Sequence, residues 1–117
     1  RPSGGGDDMG LRDNLQLMLE RGQDSPLLRY SLGRECLKEG DLVAAIDHLR
    51  QAVEQKPGYS AAWKTLGEAH VAAGSPERAA EVYERGIAAA QESGDIQAAR
   101  EMGVFLKRLR KGQTVAH

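Results

Sequence analysis

The sequence predicts an all-α fold of paired helices, about six of them, and three observations carry that expectation. Aromatic residues make up only 4% of the 117 residues (Trp63, Tyr30, Tyr59, Tyr83 and Phe105), so apolar content comes mainly from Ala and Leu, which favour helix over strand. From Leu11 onward the chain divides into segments with helical apolar spacing, each roughly 13–18 residues long and punctuated by Gly, Asp, Ser and Pro. Finally, Leu32-Gly33 recurs as Leu66-Gly67, Gly40 as Gly74 and Ala45 as Ala79, all 34 residues apart.

Each break has a mechanism. Gly22 can end the first helix in the left-handed conformation, and Asp24-Ser25-Pro26 supplies a capping side chain followed by proline at the first helical position. Gly40 closes the second helix and Asp41 caps the third. Lys56-Pro57-Gly58 stops that one, Ser60 is placed to cap the fourth, and Gly74-Ser75-Pro76-Glu77 repeats the stop-then-cap pattern. Ser93-Gly94-Asp95 makes the last internal break, and Gly112 is expected to end the sixth helix. Every segment is apolar on one face only, as in Leu42, Ala45, Ile46, Leu49, Ala52 and Val53 of the third, so each needs a neighbour.

Composition narrows the rest. With 40% hydrophobic and 28% charged residues the chain reads as one soluble globular domain with a small core. A net charge of −1, from 16 basic and 17 acidic side chains, gives no global field toward nucleic acid or an anionic membrane. No run approaches a bilayer-spanning length, and the single cysteine, Cys36, forms no internal disulfide, so the expected compartment is the cytoplasm. Residues 1–9, polar and Gly-rich, are expected to be a disordered lead-in or a cloning remnant, and residues 113–117 a flexible tail.

Extending the 34-residue shift aligns Leu49 with Tyr83, Ala52 with Gly86 and Val53 with Ile87, keeping small residues with small and large with large. Two helices per 34-residue unit resembles the tetratricopeptide repeat. Its pattern is carried by Trp63, Leu66-Gly67, His70, Ala79, Tyr83 and Gly86 in one unit, and by Leu32-Gly33, Cys36, Ala45, Leu49, Ala52 and Pro57 in the other. Departures are Arg29, where a large first residue is expected, and Gln91, where the closing proline is expected. The resemblance implies a short right-handed solenoid of stacked hairpins spanning residues 10–112. It comprises a capping half-repeat over 10–23 (core positions Leu11, Leu15, Met18 and Leu19), repeats over 25–58 and 59–92, and a closing helix over 95–111 with Met102-Gly103 in the Leu-Gly role.

A search for catalytic constellations yields none, so an enzyme is disfavoured and no cofactor or metal is expected. Cys36 and His70 share a repeat position that packs between helices, His48 lies among polar residues as a solvated surface histidine, and no CxxC or HExxH spacing exists. Glycines 4–6 lack the Lys-Ser/Thr of a phosphate loop. The basic run Lys107-Arg108-Leu109-Arg110-Lys111 suits the negative end of a helix dipole, without the aromatics of a nucleic-acid surface.

What remains is a surface. The resemblance implies a concave groove that takes a segment of a partner protein, lined by Leu27, Tyr30, Arg34, Leu37 and Lys38 in the first unit and Ala61, Lys64, Glu68, Val71 and Ala72 in the second. Arg100 and Val104 continue the line on the closing helix. Arg34, Lys64 and Arg100 would favour a carboxylate-bearing peptide, since a guanidinium binds a carboxylate through two hydrogen bonds. The family's Lys-and-Asn clamp for chaperone tails is not reproduced, because Tyr30, Arg34 and Glu68 stand at its places. The expected function is a non-catalytic protein–protein interaction module. The alternative is a self-assembly module forming a homodimer through terminal helix faces, with Val104 and Phe105 at the contact.

Overall fold

The computed structural model describes residues 10–115, so the expected lead-in lies outside the described residues. Six helices follow one another: α1 (Leu11–Glu20), α2 (Pro26–Lys38), α3 (Leu42–Gln55), α4 (Ser60–Ala72), α5 (Pro76–Ser93) and α6 (Ile96–Val115). α2 pairs with α3 and α4 with α5, and the hairpins stack so that α3 also packs on α4 and α5 on α6. The result is a two-layer, all-α solenoid.

The repeat is visible at atomic level in its turns. Gly40 and Gly74 both take a left-handed conformation (φ +81° and +77°). In each case the next residue's N–H, that of Asp41 or Ser75, donates to a carbonyl one turn back in the helix, Cys36 O or His70 O, at 2.9 Å. This is the Schellman closure that glycine permits. Ser25 Oγ accepts from Leu28 N–H at 3.1 Å and Asp41 Oδ1 from Ala44 N–H at 3.3 Å, as the capping signals predict. Ser75 takes the N-cap position of α5 as expected but makes no side-chain bond there. Two further expectations fail. Ser60 is not the cap of α4: Tyr59 holds that position without a side-chain bond, and the Ser60 hydroxyl donates to Gly58 O instead. The turn is tied from another direction, because the Trp63 indole N–H donates to Pro57 O at 2.8 Å. Gly112 does not end α6, which runs on to Val115. Gly112 keeps a right-handed backbone, and a glycine inside a helix costs about 1 kcal/mol without breaking it.

Packing at the repeat glycines explains the close approach of paired helices. A Cβ built on Gly33 would lie 2.4 Å from Leu49 Cγ, and one on Gly67 would lie 2.3 Å from Tyr83 Cε1. In each unit the large residue of the second helix fills the gap left by the glycine of the first. Leu49 and Tyr83 are both buried there.

α1 departs from expectation. None of its residues is buried; Leu11 is 55% and Met18 40% exposed, although the corresponding Ala45 and Ala52 of α3 are fully covered. Among the described helices, α1 packs on α2 alone. Arg12 holds it in place through ion pairs to Glu39 and Asp41, both at 2.9 Å.

The aberrant Arg29 replaces an aromatic ring by a polar cluster. Its guanidinium donates to both carboxylate oxygens of Asp24 (2.9 and 3.0 Å), and its Nη1 lies 3.1 Å from His48 Nδ1. An arginine has no lone pair to offer, so His48 Nδ1 accepts and the ring is neutral with its proton on Nε2. His48 is therefore half-buried and engaged, not a solvated surface residue. Burial, and then the charge of Arg29, hold its pKa below the ordinary value. His70, lowered by burial and then by Arg78, behaves alike. Unfolding frees both rings to take up protons near pH ~6.5, so stability is full above that pH and falls as the pH drops through it. The thermal midpoint should decline between about pH 7 and 5, and His48→Gln should flatten part of that decline. An unaltered slope would contradict the Arg29 contact. A second loss follows in stronger acid, as Asp24, held at about 2 first by the Arg29 hydrogen bonds and then by Gln55, is protonated.

Candidate functional site: the α2–α4–α6 face

The first helices of the units, α2, α4 and α6, touch one another in sequence, whereas α3 and α5 behind them stay apart. Helices drawn together on one side and splayed on the other curve the stack, so α2, α4 and α6 line its inner face.

Two clefts occupy this face. One lies at the α2–α4 seam, about 360 Å³ in volume, lined by Tyr30, Arg34, Leu37, Lys38, Lys64, Thr65 and Glu68. Tyr30 forms its wall: the ring packs on Tyr59 with centroids 5.1 Å apart, and the Arg34 guanidinium sits 5.8 Å from the ring centre. The other lies at the α4–α6 seam, also about 360 Å³, lined by Glu68, Val71, Tyr83, Phe105, Arg108 and Leu109. Its floor is apolar, with the Phe105 ring packed against Tyr83 at 5.7 Å between centroids. Glu68 belongs to both clefts.

The structure thus brings together Tyr30, Arg34, Leu37, Lys38, Lys64, Glu68 and Val71 of the groove read from the sequence. It places the others elsewhere. Leu27 faces a separate hollow with Ser25, Pro26, Lys56 and Tyr59, and Arg100 and Val104 are exposed on α6 and line neither inner cleft. The cationic line also changes. Lys64 is paired with Glu101, which the Lys64 hydrogen bond holds below the ordinary carboxylate range, and Lys38 is paired with Glu35 at 3.3 Å. Among the described residues, Arg34 and Arg108, at opposite ends with Glu68 between them, form no ion pair.

Sequence reasoning missed Phe105, Arg108 and Leu109. Their signal was present. Carrying the repeat positions of Lys38 and Ala72 onto α6 reaches Arg108, and Phe105 and Leu109 flank it at helical spacing.

Behind this face, at the junction of α3, α4 and α5, a third cleft of about 420 Å³ is lined by Trp63, His70, Arg50, Arg78, Glu81 and Arg85 among others. His70 borders it half-buried, unlike its repeat counterpart Cys36, which is fully covered and whose thiol burial pushes toward the protonated form. A protonated, enclosed thiol is a poor nucleophile. Among the described residues no group of three or more His, Cys, Asp or Glu could hold a metal ion, and no helix is long and apolar enough to cross a membrane.

Paired helices repeating at a fixed period around an open inner face define a helical-repeat protein. The family model described as tetratricopeptide repeat matches residues 37–102, and the chain belongs to the tetratricopeptide repeat family. It is 46% identical over 102 residues to the TPR repeat-containing protein PA0015 of Pseudomonas aeruginosa, covering 87% of this chain and 97% of that protein. Among solved structures it resembles protein BPP2914 from Bordetella parapertussis (TM-score 0.80, 38% identity, 92% of this chain and 93% of that one). It also resembles a tetratricopeptide repeat domain protein from Salinibacter ruber (TM-score 0.69, 26% identity, 74% and 87%). Proteins of this family are typically non-catalytic modules for protein–protein interaction.

Proposed function

We propose that the chain acts by binding alone, holding an extended segment of a partner protein across the α2–α4–α6 face. The observation that carries this reading is the apolar cleft of Val71, Tyr83, Phe105 and Leu109, set on the inner face between Arg34 and Arg108, two cations without ion-pair partners among the described residues. An apolar side chain of the segment would fill the α4–α6 cleft, and acidic residues on either side would meet the guanidiniums. Glu68 in the middle disfavours a carboxylate there, so the preferred segment carries its acids apart, flanking the apolar anchor.

Anisotropy of labelled acidic peptides with a central Leu or Phe tests this. A charge-assisted hydrogen bond contributes about 1.5–3 kcal/mol, so Arg34→Glu with Arg108→Glu should weaken binding at least about tenfold while the helical circular dichroism stays unchanged. Equal affinity of parent and double variant would refute the groove as the site.

A further inference from the structure

The cleft at the junction of α3, α4 and α5 shares no lining residue with the two clefts of the inner face. Its floor is apolar, made by Val53, Trp63, Leu66 and Val82, all buried. Its rim is charged, with Arg50, Arg78 and Arg85 against Glu54 and Glu81. The three arginines are not equivalent. Arg50 is satisfied within its own helix, by Asp47 at 2.8 Å and Glu54 at 2.9 Å. Arg78 and Arg85, about two turns apart on α5, form no ion pair among the described residues, and Glu81 between them sets one carboxylate against two guanidiniums. One positive charge is left over at the rim. The Arg85 guanidinium lies 5.0 Å from the centre of the Trp63 ring. Contact with an aromatic ring uses the face of a guanidinium and leaves its in-plane N–H donors for a carboxylate. His70 borders the same space half-buried; burial and then the charge of Arg78 lower its pKa, so it adds a neutral imidazole and no further charge.

We infer that this cleft is a second binding site, separate from the peptide-binding face, for a small organic carboxylate with an apolar body. The acid group meets the N–H donors of Arg78 and Arg85, and the body covers Val53, Leu66 and Val82 beside Trp63. Size agrees, because about 420 Å³ falls within the roughly 300–1,000 Å³ of small-molecule sites, which combine apolar walls with a few polar groups. Charge agrees as well. A single carboxylate balances the excess at the rim, whereas a doubly charged anion would set surplus negative charge beside Glu54 and Glu81. The site stands independently of the inner-face reading.

Trp63 is the chain's single tryptophan, so its emission reports this cleft. Titration with hydrocinnamate should change that emission saturably at or below millimolar concentration. Hydrocinnamyl alcohol, the same body without the charge, should bind at least about tenfold more weakly, as expected for losing a charge-assisted hydrogen bond. Arg78→Gln and Arg85→Gln, both at exposed positions, should each weaken hydrocinnamate by about tenfold with unaltered circular dichroism. The midpoint of the titration is the readout, because Arg85→Gln also changes the starting emission. Arg34→Glu with Arg108→Glu should leave the midpoint where it is, since neither residue lines this cleft. No saturable change, equal affinity for the alcohol, or an unmoved midpoint in either glutamine variant overturns the inference. So does a midpoint that moves in the Arg34 and Arg108 variant, which would assign the ligand to the inner face.

Discussion

Trp63→Ala is expected to lower stability by about 3–5 kcal/mol, the range for truncating a large core aromatic. The ring is only 5% exposed, carries the Arg85 guanidinium 5.0 Å from its centre, and fixes the α3–α4 turn through the indole bond to Pro57 O. Its Cβ also faces Gly86, where an added methyl would approach to 2.8 Å. The substitution therefore removes apolar contacts between two helices and the tie that stands in for a missing side-chain cap on α4. Small domains are stable by only about 5–15 kcal/mol, so the variant should be close to unfolded. Urea titration followed by far-UV circular dichroism would show a midpoint about 2 M lower at an ordinary dependence on denaturant. A loss under about 1 kcal/mol would be too small for a core aromatic and would mean that the second unit is not built around this residue.

The second large effect is a contrast between equivalent glycines. Alanine is favoured over glycine in a helix by about 1 kcal/mol, so Gly103→Ala, which meets nothing, should raise the thermal midpoint by roughly 4–8 °C. Gly67→Val places its branched side chain where the Tyr83 ring stands, 2.3 Å from its Cε1. That ring is buried and also supports Phe105, so it has no free direction in which to move. Overpacking of this kind costs about 1–3 kcal/mol or more, with a midpoint falling by several degrees. Opposite signs for the two substitutions are the signature of a filled position in the second unit and an open one at α6. Two changes of the same sign would remove that distinction.

Much of this architecture was legible in the residues. The 34-residue recurrence sets which positions are small, and at Gly33 and Gly67 the structure supplies the large partner that the recurrence implied. What the sequence left open depended on neighbours. Leu11 and Met18 have the spacing of a core stripe, but a stripe is buried only if a helix covers it, and here none of the described helices does. His48 looks solvated among polar residues until Arg29 reaches across from α2. The groove's charge was misjudged for the same reason, because Glu101 lies 37 residues from Lys64 and cancels it from another helix. Ser60 and Gly112 fail differently: each is a genuine local signal overridden by its surroundings, the Trp63–Pro57 bond in one case and continued helix in the other.

The most direct test of the interaction reading is a residue-by-residue map of where an acidic, leucine-bearing peptide perturbs the amide resonances of the labelled chain. The account predicts shifts at Tyr30, Arg34, Glu68, Val71, Phe105 and Arg108, which line the inner face from end to end. Shifts confined to Arg50, Arg78 and Arg85 would place binding in the cleft behind and contradict it.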